Sequence, residues 1–159
     1  MNIGFIPAKA ARLDGSREAL IDVHSGRRIT FGELDDRVRR LGNALVDELG
    51  LARGDRVAIL SRNCIEYMEI YYACARVGMI AQPINWRLGE KEMARIMVNG
   101  SPSVVIVSGE YAGQVPSLKA EVQAEHWLGF GEGSDDSYNS LVAAACAEEP
   151  AISADVGAD

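Results

Sequence analysis

Three short apolar runs constrain this chain more than any other feature: Val57 to Leu60 within GDRVAIL, Met79 to Pro83, and SVVIV at 103–107. Each is too short for a buried helix, and between them lie segments with helical spacing of apolar residues. The first intervening helix is predicted over Ile65 to Val77, where Ile65, Met68, Ile70, Tyr71, Ala73, Cys74 and Val77 cover much of the circumference, so it is heavily buried. Asn63 is placed to cap it and Gly78 to close it. A second helix follows from about Glu90 to Val98 and ends near Gly100. Strand, helix, strand, helix, strand at this pitch requires parallel pairing with right-handed crossovers. The predicted class is therefore α/β, a mostly parallel sheet flanked by helices.

Upstream, ALIDV and RIT flank the turn-rich HSGR and read as a hairpin. From Phe31 the period changes. Leu34, Val38, Leu41, Leu45 and Leu49 fall on one helical face, Thr30 with Glu33 forms a capping box, and Gly50 suits a left-handed stop. Glu33 with Arg37, and Asp36 with Arg40, stand four apart, which reads as a paired, solvated face. Beyond Gly109 the pattern gives a helix around Val115 to Ala124, a strand at His126 to Phe130 and a helix around Tyr138 to Ala147.

Charge separates the body from the tail. Residues 1–131 hold 16 acidic and 16 basic side chains, and residues 132–159 hold seven acidic and none basic. A balanced body offers no basic face for a phosphate backbone, which excludes broad nucleic-acid binding. The expected organisation is an α/β portion over 1–147 and an acidic linker over 148–159. No apolar run reaches the roughly 20 residues of a membrane span, and the start MNIGFIPAKAARLDG lacks the pattern of an export signal. A cytoplasmic protein is expected. Cys64, Cys74 and Cys146 show no Cys-x-x-Cys spacing and read as reduced, structural thiols. His24 and His126 belong to no ligand or triad pattern.

Chemistry is sparse. GFGEGSDD, from Gly129, has alternating glycines, but Glu132, Asp135 and Asp136 would repel a phosphate and no cation accompanies them, so it reads as a turn. The residues present offer no catalytic centre and no metal cradle. One segment stands apart: GMIAQPINWRL, at 78–88, leaves a buried strand through a proline into Asn85, Trp86 and Arg87. Trp86 reads as a packing residue. Arg87 either pairs with Glu90 or Glu92 at the next helix start, or lies at the ligand edge of the sheet.

Several blocks, in order, carry a resemblance. RITFGELDDRVRRLGNAL, then GDRVAILSRNCIEYMEIYYACARVGMIAQPINWRL, then SYNSLVAAACAEEP resemble the early segments of the AMP-forming acyl-CoA synthetases, the adenylate-forming ligases. The match covers nearly the whole chain and is most specific from Gly54 to Leu88. The family's Ser/Thr/Gly-rich phosphate loop, its adenine and magnesium motifs and its lysine-bearing C-terminal domain are not in this sequence. The resemblance therefore implies an N-terminal fragment, inactive alone, of a ligase that activates a carboxylic acid, fatty or aromatic, with ATP and Mg. The acyl adenylate then passes to coenzyme A. It further implies that Arg87 lies where the nucleotide end of coenzyme A docks, and that the fragment itself binds none of these cofactors. The expected partners are the remainder of the ligase chain and the three substrates, with homo-oligomers open. Two other readings stand beside it: an adenylation domain that loads a carrier protein, and a stand-alone interaction module without enzymatic activity.

Overall fold

The computed structural model describes residues 2–151. A 3-10 turn at Ile3–Phe5 leads into helix α1 (Ile6–Asp14), which the apolar N-terminal segment does not announce as a helix. The hairpin is present as β1 (Glu18–Ile21) and β2 (Arg28–Thr30), antiparallel and joined by the HSGR turn. Helix α2 (Phe31–Asn43) starts on the predicted capping box, with the Thr30 hydroxyl accepting from the Glu33 backbone and the Glu33 carboxylate accepting from that of Thr30. It continues as a π-helical turn over Ala44–Glu48 before the chain reverses.

The second sheet has the predicted parallel character. Its strands are β3 (Arg56–Leu60), β4 (Ile80–Ile84), β5 (Val104–Ser108) and β6 (His126–Phe130), in spatial order β4-β3-β5-β6. The central pair, β3 and β5, is buried on both faces, which is why its sequence is a continuous apolar run and not an alternating one. Pro83 sits in β4, an edge strand, where its missing N–H costs no ladder bond on the open side. Helix α3 (Ile65–Val77) follows β3 and α4 (Glu90–Gly100) follows β4. A 3-10 segment and α5 (Val115–Glu121) follow β5, and α6 (Ser137–Ala144) follows β6.

Two cores result. Val57, Ile59, Val104 and Ile106 face α2, α3 and α6, whereas Ala58, Leu60, Val105 and Val107 face α4 and α5. The alternation within β3 and β5 follows from the period of two in a strand. Gly78 closes α3 in the left-handed region, at φ 75°, as its position suggested.

Two local expectations are corrected. Asn63 does not cap α3: Cys64 holds the N-cap position without a side-chain cap bond. Arg37 does not pair with Glu33, because that carboxylate is occupied in the capping box; Arg37 reaches instead to the fully buried Glu69 on α3. Asp36 with Arg40 does form, at 2.8 Å. Residues 148–151 begin the expected acidic linker, with Glu148 and Glu149 exposed. They lie against α2: the Asn43 amide donates to the carbonyls of Cys146 (2.8 Å) and Glu148 (2.9 Å), and Pro150 is buried. Residues 152–159 of that expected linker lie outside the described residues. Among the described residues no helix is long and apolar enough to cross a membrane.

Candidate functional site

In a parallel sheet the loops after the strands gather at one edge, and ligands bind where neighbouring connections depart to opposite faces. Here β3 and β5 are neighbours; the chain leaves β3 for α3 on one face and β5 for α5 on the other. The switch point is bordered by Ser61 and Arg62 after β3, by Asn85, Trp86 and Arg87 after β4, and by the segment Gly109–Gln114 after β5. The last residue of β5, Ser108, is buried and its hydroxyl has no hydrogen-bond partner among the described residues.

The Asn85–Leu88 turn is fixed by two bonds. The Asn85 side-chain oxygen accepts from the Arg87 backbone at 3.1 Å, and its carbonyl accepts from Leu88 at 3.2 Å. Trp86 is half-buried against the core that holds α4 and α5, so its packing role is present. It also carries two guanidinium groups, Arg87 at 4.2 Å and Arg62 at 4.6 Å from a ring centroid. Such distances are within the range of a cation–π contact.

Neither carboxylate weighed as a partner for Arg87 is turned to it. Glu92 accepts from the Gly89 backbone at 3.0 Å to cap α4, and Glu90 accepts from the Ser117 hydroxyl at 2.7 Å. Arg87 is exposed, and its guanidinium forms no ion pair among the described residues. A planar fork of donors without a carboxylate, at the ligand edge of a sheet, is chemically suited to a phosphate.

Arg62, Glu110 and Tyr111 escaped the sequence reading. Arg62 Nε lies 3.3 Å from Glu110 Oε1 and 3.4 Å from the Tyr111 hydroxyl, which links the exits of β3 and β5. The signal that could have found them is positional: each lies within three residues of the end of a strand of the buried sheet, as Arg87 does.

The glycine-rich GFGEGSDD segment is a self-closed turn. Asp135 accepts from the Ser137 hydroxyl at 2.8 Å and Asp136 from the Asn139 amide at 2.7 Å, while the Ser137 hydroxyl oxygen accepts from the Gly129 backbone at 2.9 Å. The Ser137 hydroxyl holds the Asp135 carboxyl below the ordinary range. The backbone N–H groups of Gly129, Ser134, Asp136 and Ser137 all bond within the turn, and Glu132, Asp135 and Asp136 would repel a phosphate, so the loop does not fit ATP. Beside it a cleft of about 210 Å³ opens between α5 and β6, over Lys119 and Trp127. That is smaller than the several hundred Å³ usual for organic ligands.

Two of the three thiols, Cys64 and Cys74, are held protonated by burial. Burial pushes Cys64 up to about 11 and Cys74 up to about 12. Among the described residues no three of His, Cys, Asp and Glu come together as a metal cradle, so no step through Mg is derived from this chain.

Comparison with known proteins adds independent information. The chain is 29% identical over 155 residues to the long-chain-fatty-acid–CoA ligase FadD13 of Mycobacterium tuberculosis, a match covering 95% of this chain and 30% of that protein. It is 37% identical over 118 residues to a feruloyl-CoA synthase of Amycolatopsis, covering 74% of this chain and 23% of the relative. The crystal structure of the N-terminal domain of FACL13 from Mycobacterium tuberculosis superposes with a TM-score of 0.84 at 28% identity, over 95% of this chain and 38% of that one. The chain thus spans less than a third of the length of these two ligases. The family described as AMP-binding enzyme matches residues 7–151. With the parallel α/β architecture and the ordered sequence blocks, these matches make the chain a member of the AMP-binding enzyme family, corresponding to the N-terminal portion of its AMP-forming acyl-CoA synthetases.

Proposed function

We propose that this chain is the N-terminal scaffold of a ligase that joins a carboxylic acid, fatty or aromatic, to coenzyme A. In the first step the carboxylate attacks the α-phosphorus of ATP, giving an acyl adenylate and pyrophosphate. In the second the cofactor thiol displaces AMP. The described residues contribute to the second step, in the cytoplasm, by binding the phosphate-bearing nucleotide end of coenzyme A through Arg87. Charge neutralisation by Mg and the ATP contacts belong to segments that follow the ones described.

The observation that carries this reading is the state of Arg87: exposed at the strand-exit edge, stacked on Trp86, and turned away from Glu90 and Glu92. Family membership supports the reaction class. The pairing of acids follows from the relatives, one of which is named for a long-chain fatty acid and another for feruloyl-CoA.

The test is to measure the two half-reactions separately in the whole ligase. Arg87→Ala is expected to raise the KM for coenzyme A about tenfold, equivalent to roughly 1.4 kcal/mol, with adenylate formation unaltered. Equal loss in both half-reactions, or in neither, removes Arg87 from the cofactor site. If the acceptor is a carrier protein, saturation with the carrier and not with coenzyme A will support the thiol step.

A further inference from the structure

Arg62 touches all three loops at the switch point. It lies in the loop after β3, its guanidinium lies over Trp86 in the loop after β4, and its Nε meets Glu110 and Tyr111 in the segment after β5. The strand order β4-β3-β5 places it in the middle of the three.

The backbone bonds around Asn85 fix the turn, but they do not fix the rotation of the indole that projects from it. Arg87 lies over this half-buried ring at 4.2 Å, so the orientation of the ring biases where that exposed guanidinium sits. Arg62 adds a restraint to the core packing on the ring, because a planar guanidinium resting on the indole and anchored at Nε limits how the ring can turn. Electrostatics sets the direction of the effect. Glu110 offsets the charge of Arg62, so Arg62, Glu110 and Arg87 together carry a single net positive charge, located at Arg87. Two bare guanidiniums on one ring would repel; one neutralised and one free do not.

We infer that Arg62 is a positioning residue: anchored by Glu110 and Tyr111, it orders the Trp86 indole and thereby presents Arg87 to the phosphate of the nucleotide end of coenzyme A. The second half of this statement rests on the proposed role of Arg87, and the first half does not. Glu110 and Tyr111 are therefore part of the same device, although neither meets the cofactor.

Two measurements separate the halves. In the 159-residue chain, Trp127→Phe leaves Trp86 as the sole indole of the two tryptophans, and its fluorescence anisotropy decay reads ring motion without any ligand. Arg62→Ala is expected to speed the local depolarisation, and Arg62→Lys, which keeps a cation but loses the planar fork, to fall between. An unchanged decay in Arg62→Ala overturns the positioning role. In the whole ligase, Arg62→Ala is expected to raise the KM for coenzyme A about threefold, the scale of one exposed cation–π contact, with the adenylate half-reaction as internal reference. Glu110→Gln should act in the same direction, because it frees Arg62 from its anchor. If Arg62 bound phosphate itself, Glu110→Gln would lower the KM by releasing a competing carboxylate, and that result overturns the inference. An unchanged KM in Arg87→Ala together with a faster indole in Arg62→Ala would remove the cofactor role of Arg87 while leaving the ordering of Trp86 by Arg62 established.

Discussion

Glu69 has no exposed surface, yet it carries a carboxylate. It is matched by the Arg37 guanidinium, whose Nη2 donates at 2.9 Å beside the closer Nε, and by the Tyr138 hydroxyl at 2.9 Å. Removing a charge from water costs several kcal/mol, and only this level of pairing offsets it. Burial, first, and the neighbouring carboxylate raise the Tyr138 hydroxyl well above its ordinary range, so it remains a donor across the working pH. Glu69→Ala is expected to destabilise the fold by about 3–5 kcal/mol by leaving Arg37 unmatched in a partly buried site. Tyr138→Phe, which deletes one hydrogen bond to a charged group, should cost about 1.5–3 kcal/mol. Urea unfolding of the two variants checks both values, and near-equal midpoints with the parent would refute the network's weight. Nothing local reveals this pairing in the sequence. Arg37 and Glu69 are 32 residues apart, and the helical spacing of Glu33 and Arg37 offers a nearer, misleading partner. Arg87 stands out in the sequence through its place after a buried run and its match to the family's loop, whereas Arg62 shares the position but no motif marks it.

Helix α2 shows how much one element can be read ahead of its structure. Its start, its buried face and its reversal follow from Thr30, Glu33, the leucine spacing and the left-handed Gly50, at φ 68°. What the pattern does not contain is the π-helical turn at Ala44–Glu48, since a widened turn keeps nearly the same apolar face. Thr30→Ala is expected to cost about 1 kcal/mol, the usual loss for an N-cap, measurable as a lower melting temperature. The same box gives a pH dependence. The backbone N–H of Thr30, followed by its hydroxyl, holds the Glu33 carboxyl below its ordinary value. A lowered carboxyl stabilises the fold above the unfolded value of about 4.3 and loses that contribution as pH falls through the lower folded value. Glu33→Gln should therefore lower stability at neutral pH and narrow the difference from the parent as the pH drops below about 4. A difference that grows on acidification would refute the assignment. Because the group is almost fully exposed, the effect is small.

At the scale of the whole molecule the sheet has two open edges, β4 and β6, each paired on one side only among the described residues. Ile80 on β4, Ile96 and Val98 on α4, and Ile21 and Val23 at the hairpin are exposed apolar side chains, and Tyr67 and Tyr71 stack half-buried on α3. Open edges with uncovered apolar residues favour association. The 159-residue chain is expected to sediment as dimers or larger species; a strict monomer at high concentration would argue that these surfaces are inert. It is also expected to show no ATP–pyrophosphate exchange with fatty or aromatic acids, since its glycine-rich turn is closed by its own carboxylates. Exchange above a mock preparation would overturn that reading of the turn.

The strand order β4-β3-β5-β6 also bears on how the chain is made. A ribosome releases β3 and β4 first, and these can pair as soon as α3 has emerged, but β3 is a middle strand whose second neighbour, β5, lies more than 40 residues further on. Until Val104–Ser108 leaves the exit tunnel, an apolar strand has one naked flank. Glu69 waits longer still, because Tyr138 arrives only after the last strand. At a synthesis rate of about 5–20 residues per second, the nascent sheet spends seconds half-built, and that interval is when a chaperone has something to hold.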